Sequence, residues 1–115
     1  MRRVELKVTT QSHGDQAIMS VAGEIDLYTA PRLHSELMSA LAASAPLRLT
    51  VDMAGVEFCD STGMNVLLAA QRRARESGGD LQLASPRPAI RKVLQVTGLE
   101  SVFTVLDHPA PATGN

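Results

Sequence analysis

Three consecutive segments constrain the fold of this chain most. In "APLRLTVD" (45–52), Leu47, Leu49 and Val51 alternate with polar residues, the period of a strand with one buried face. "MNVLLAAQRRARESGG" (64–79) then changes to a helical period. Met64, Leu67, Leu68 and Gln71 share one face, and Val66 and Ala70 widen its apolar side. Arg72, Arg73 and Arg75 fall in the later turns, where cations suit the helix dipole, and Gly78-Gly79 ends the pattern. "DLQLA" (80–84) returns to a short strand. Two strands joined through a helix lie parallel, with a right-handed crossover.

The flanking segments extend this unit. Val4, Leu6 and Val8 alternate with Glu5, Lys7 and Thr9, "SHGD" (12–15) is turn chemistry, and "AIMSVAG" (17–23) predicts a second strand antiparallel to the first. Thr29 is an expected N-cap with Pro31 in the first turn, and Leu33, Leu37 and Leu41 predict a helix from about Ala30 to Ala43. Pro46 breaks the chain before the third strand. "SPRP" (85–88) opens a helix with Ile90, Val93, Leu94 and Thr97 on one face and Gly98 near its end; "VFTVL" (102–106) predicts a fifth strand, or a strand leading into a last turn. The order is β-β-α-β-α-β-α-β. The expected fold class is α/β, a single domain over residues 1–107 with a mixed, mostly parallel sheet of four to five strands and helices packed on it. The initial hairpin adds an antiparallel edge, which permits a weak dimer as well as a monomer. "HPAPATGN" (108–115) is expected to be a disordered tail.

Composition narrows the function classes. The chain of 115 residues is 44% hydrophobic and 20% charged, a globular balance. No apolar run approaches the ~18 residues of a membrane span, and "MRRVELKVTT" reads as a strand rather than a signal peptide. The single cysteine, Cys59, cannot form an internal disulfide or a multi-cysteine zinc site, and suits a reducing cytoplasm. A net charge of −1 makes no global case for nucleic acid, and 3% aromatics with no tryptophan argue against base-stacking platforms.

The chemistry concentrates in "EFCDSTGMN" (57–65), before the second helix. Asp60 and Ser61 both suit an N-cap, where a side-chain oxygen accepts from a free backbone N–H. The plain reading is a cap. The same geometry tolerates a phosphate: at Ser61 or Thr62 it adds ~1.5–2 negative charges without unfolding the helix, and it changes the surface offered to a partner. Gly63 leaves the backbone little shielded, open to close approach. Catalysis is the rival. His13, His34 and His108 fall in a turn, a helix and the tail, Ser61 is not in a G-x-S-x-G elbow, and no base is placed for it. Glu57 and Asp60 define no cleft, and Cys59 reads as a small buried hydrophobe. Glu24 and Asp26 of "GEID" read as a solvated loop, or as an acidic contact near Ser61, because strand ends of such a sheet gather at one edge. Arg72, Arg73 and Arg75, with Arg87, Arg91 and Lys92, read as a solvated helix face in preference to a phosphate contact, given the near-neutral net charge.

"GEIDLYTAP", "FCDSTGMNVLL" and "GGDLQLASPRPAIRKVLQVTGLESVF" together resemble the STAS domain family, in its bacterial anti-sigma factor antagonist branch. The resemblance covers nearly the whole chain, to about Leu106. It implies a protein that is not an enzyme and needs no cofactor or metal. It implies an anti-sigma factor serine kinase as partner: the unphosphorylated antagonist binds the kinase, which frees the sigma factor. The kinase then uses ATP to phosphorylate the serine after the aspartate of a D-S-[ST]-G motif, and a PP2C-type phosphatase reverses the step. On this chain the acceptor is Ser61, flanked by Asp60, Thr62 and Gly63, and Asp26 matches the family's acidic position at the partner-binding edge. Many members carry glycine where this chain has Asn65, which adds a side chain to that surface. The family also contains accessory subunits of lipid-transporting ABC complexes, the alternative reading.

Overall fold

The computed structural model describes residues 5–43 and 47–108. Strands β1 (Lys7–His13) and β2 (Gln16–Ile25) form an antiparallel hairpin closed by Gly14 and Asp15. Gly14 sits at φ +67°, where a side chain would be strained. Helix α1 (Ala30–Ala43), strand β3 (Arg48–Cys59), helix α2 (Ser61–Glu76), strand β4 (Asp80–Ala84), helix α3 (Pro88–Thr97), a 3₁₀ turn (Leu99–Ser101) and strand β5 (Val105–Leu106) follow. The sheet order is β1-β2-β3-β4-β5, with every pair after the first parallel. The expected fold class and element order are therefore observed. Val4, Pro46 and residues 109–115 of the expected tail lie outside the described residues.

Three expected boundaries differ. The third strand was expected to end at Asp52, yet β3 continues to Cys59. Pairing with β2 shifts register twice, between Ser20 and Ala22 and between Gly23 and Glu24. Each shift inserts an extra residue into β3, so its buried side chains pass from a spacing of two (Leu49, Val51, Met53) to three (Val56, Cys59). The bulges erase the strand signature without ending the strand. The second correction follows: β2 runs to Ile25, and Glu24, expected in a loop, pairs with Phe58 inside the ladder. The third is at the C-terminal edge. Only Val105 and Leu106 pair with β4, because Val102 closes the 3₁₀ turn and its carbonyl accepts from Gln71 Nε2 at 3.1 Å.

All three helices bury their apolar residues against one side of the sheet. Leu33 and Leu37 of α1, Leu67 and Ala70 of α2 and Ile90 and Leu94 of α3 join Met19, Val21, Leu49, Val51, Leu81 and Leu83 in one core. The alternate strand positions form the opposite, partly exposed face, where Gln82 Nε2 donates to the buried Thr50 Oγ1 at 2.9 Å across the sheet. Because β2 and β3 are parallel neighbours, their carboxyl ends, Ile25 and Cys59, finish side by side. The segments that follow open α1 and α2, and this edge positions the candidate site.

Candidate functional site

Asp60 holds the extended backbone that an N-cap requires (φ −91°, ψ −172°), and its carboxylate Oδ1 accepts from Gly63 N at 3.1 Å. Its carbonyl accepts the first helical bond from Met64 N at 3.0 Å. Its own N–H donates to Ile25 O at 3.1 Å, which ties the start of α2 to the end of β2. The two capping candidates are thus separated. Asp60 caps, and Ser61 is the first residue of the helix, with an exposed side chain. Among the described residues the Ser61 hydroxyl makes no hydrogen bond. The N–H groups of Ser61 and Thr62 belong to the first turn, which has no preceding turn of carbonyls to bond. Thr62 is half-buried and Asn65 exposed.

Gly63 is buried beneath this surface. A Cβ placed on it would stand 2.5 Å from Ile25 Cγ2 and 2.7 Å from Cys59 Sγ. Glycine is therefore what allows α2 to close onto the ends of β2 and β3.

Asp26 lies one residue beyond the Ile25 carbonyl that receives Asp60 N. Its Oδ1 accepts from Tyr28 N at 2.9 Å and Thr29 N at 3.0 Å. Thr29 carries out only half of the expected capping role. Its carbonyl accepts the helical bond from Leu33 N, but its hydroxyl turns back, donating to Glu24 O at 2.8 Å and accepting from Asp26 N at 2.9 Å. The result is a tight knot at 24–29, in which the acidic side chain holds a turn. That turn projects Leu27 and Tyr28, 66% and 71% exposed, and Phe58 is 49% exposed on the neighbouring strand. Sequence reading missed these three. The only available signal was an apolar pair after Asp26 that fits neither the preceding strand nor the following helix.

Cys59 is buried, and burial, with the nearby Asp60 charge in second place, pushes its thiol up from the ordinary 9.0 to about 12. It is a packed side chain, as expected, rather than a nucleophile. Alkylation of the native protein by iodoacetamide at pH 8 is expected to be slow until denaturant is added. A folded pKa raised above the unfolded one stabilises fully below pH 9.0 and is lost as pH rises toward 12. The stability contributed by this group falls by about 1.4 kcal/mol per pH unit in that window. Urea midpoints of wild type and Cys59→Ala measured from pH 8 to 10.5 check it: the wild type is expected to fall more steeply.

Among the described residues no histidine hydrogen-bonds Ser61. His13 ends β1 at the hairpin, His34 is on the exposed side of α1, and His108 follows β5. Nor is any helix among the described residues long and apolar enough to cross a membrane.

The fold and site together define a small α/β domain that offers an exposed serine at a helix start, beside the carboxyl ends of two parallel strands. Comparison with known proteins supplies the family. A family model described as "Mlab, STAS domain" matches residues 8–106, and the chain belongs to the STAS domain family. It is 31% identical over 98 residues to the anti-sigma-F factor antagonist RsfB of Mycobacterium tuberculosis, covering 85% of this chain and 79% of that protein. A solved anti-sigma factor antagonist from Mycobacterium paratuberculosis superposes with a TM-score of 0.79 at 29% identity, over 95% of this chain and 90% of that one. The phosphorylated form of the Bacillus cell fate determinant SpoIIAA shares the fold, with a TM-score of 0.64 at 21% identity over 90% of each chain.

Proposed function

We propose that this protein is an anti-sigma factor antagonist controlled by phosphorylation at Ser61. In its unphosphorylated form it binds an anti-sigma factor that is also a serine kinase, and the sigma factor is freed. The kinase transfers the γ-phosphoryl group of ATP to Ser61 Oγ, whose proton leaves, and ADP is the other product. The phosphoprotein no longer binds, and a PP2C-type phosphatase returns it to the active form in the cytoplasm. The protein is then a substrate and a binding partner, not an enzyme.

One observation carries this reading. Ser61 is exposed at the first position of α2, and Asp60 already supplies the cap, so the serine hydroxyl is not needed to hold the helix. A phosphate there meets the positive end of the helix dipole and leaves the fold intact. Asp60, Thr62, Gly63 and Asp26 form the acceptor's surroundings, Gly63 from beneath. The names of the relatives and the phosphorylated state of SpoIIAA support the same reading.

The test uses Ser61→Ala. Immobilised with the kinase and ATP, wild type is expected to dissociate as phosphate accumulates, while Ser61→Ala stays bound. Equal release of both proteins would contradict the reading. The ABC-accessory alternative predicts a stable complex with an ATPase that is indifferent to Ser61→Asp.

A further inference from the structure

Leu27, Tyr28 and Phe58 are three of the five large hydrophobic side chains exposed among the described residues, and all three stand at the Ser61 edge. Their placement is built, not incidental. Glu24 pairs with Phe58 and Ile25 with Cys59. Since Ile25 and Cys59 face the core, Phe58 faces the solvated side at the very end of β3. Just past Ile25, the Asp26 turn holds Leu27 and Tyr28 at the same end of the sheet. The exposed apolar residues therefore fall at the end of β3 and in the turn that follows β2.

The two segments that carry these side chains hold charge of one sign. Segments 24–28 and 57–61 contain Glu24, Asp26, Glu57 and Asp60 and no lysine or arginine. Glu24 and Glu57 form no ion pair among the described residues. An apolar cluster inside an acidic margin complements an apolar cleft with a basic rim. Tyrosine is among the residue types that most often anchor an interface, because it buries a large rigid area at small entropic cost.

We propose that Leu27, Tyr28 and Phe58 are the docking anchor for the anti-sigma factor kinase, inserting into an apolar cleft with a basic rim, and that Asp26 is a positioning residue. Its carboxylate holds the turn that displays Leu27 and Tyr28. The proposal rests on the kinase-partner reading above and adds to it the source of affinity and specificity. Ser61 is the site of chemistry, and the patch is the site of grip.

The experiment measures phosphate transfer from ATP to the full chain by a recombinant anti-sigma factor kinase chosen because it binds the wild type. Leu27→Ser/Tyr28→Ser is expected to raise KM for the chain about thirtyfold, the size of a hot-spot loss, with kcat nearly unchanged. Phe58→Ser is expected to act in the same direction. Asp26→Ala, which removes the oxygen that accepts from Tyr28 N and Thr29 N, is expected to raise KM about tenfold, and Asp26→Asn, which keeps a side-chain oxygen, is expected to recover most of that loss. Val96→Ser, on α3 and 73% exposed, is the control and should leave both constants unchanged. Circular dichroism melts of all variants separate docking from folding. Normal phosphorylation of Ser61 with an unchanged KM in the double variant overturns the anchor and leaves the kinase reading standing. A loss in Asp26→Asn as large as in Asp26→Ala overturns the positioning role, since the charge itself would then make the contact. No phosphate on wild-type Ser61 overturns the kinase reading and this proposal with it.

Discussion

Phosphorylated at Ser61, the protein is expected to bind its kinase at least about a hundredfold more weakly than the unmodified protein, a difference of about 2.8 kcal/mol. The loss comes from the complex, not from the fold. The side chain is exposed, and Asp60 continues to cap the helix through Gly63 N. The added ~1.5–2 charges lie at the favourable end of the helix dipole. In the proposed complex the same group would stand where the acceptor hydroxyl meets the nucleotide. It must lose its hydration there and face the phosphates of ADP, and both effects oppose binding. Ser61→Asp carries less charge and is expected to show a smaller loss in the same direction. Calorimetric titration of the two forms measures the effect, and overlapping thermal melts, within about 0.5 kcal/mol, exclude a folding origin.

Gly63→Ala is expected to lower stability by about 2 kcal/mol, roughly 8 °C in thermal midpoint for a domain of this size. The sign is set by two competing effects. In a free helix, alanine is favoured over glycine by about 1 kcal/mol. Here the new methyl would stand 2.5 Å from Ile25 Cγ2 and 2.7 Å from Cys59 Sγ. Ile25 is fully buried and Cys59 nearly so, and neither can swing aside into solvent. Helix α2 must withdraw from the sheet instead, and its first turn moves with it. The substitution is therefore expected to weaken kinase binding as well, because Ser61 and the Asp60 cap are displaced from the Asp26 turn. A thermal melt that rises would mean that helix propensity outweighs the contact.

The legible parts of the fold are those where one periodicity runs uninterrupted. Leu33, Leu37 and Leu41 mark α1 to its ends, and Leu81 and Leu83 mark β4. The hidden parts are those where two periods collide. The bulges opposite Ala22 and Glu24 turn β3's alternation into a spacing of three, so half a strand read as loop. Pairing between distant residues causes that, and no local window contains it. Asp60 and Ser61 have similar capping preferences, and only the backbone angle at Asp60 separates cap from first helical residue. The family motif singled out Ser61 as acceptor, whereas residue chemistry alone reached only a helix start able to tolerate phosphate. Leu27, Tyr28 and Phe58 escaped notice because an exposed apolar residue follows no period. Their meaning comes from where the turn and the strand end bring them.

The central claim, that Ser61 is the acceptor of a switching phosphate, is tested most directly by locating the phosphate. After incubation of the full chain with its binding kinase and ATP, trypsin releases residues 49–72, in which Thr50, Ser61 and Thr62 are the only hydroxyl side chains. Fragmentation of that peptide is expected to place one phosphate on Ser61, and none on the same peptide from Ser61→Ala. Phosphate found only at other residues, or no phosphate from a kinase proven to bind the chain, would contradict the account.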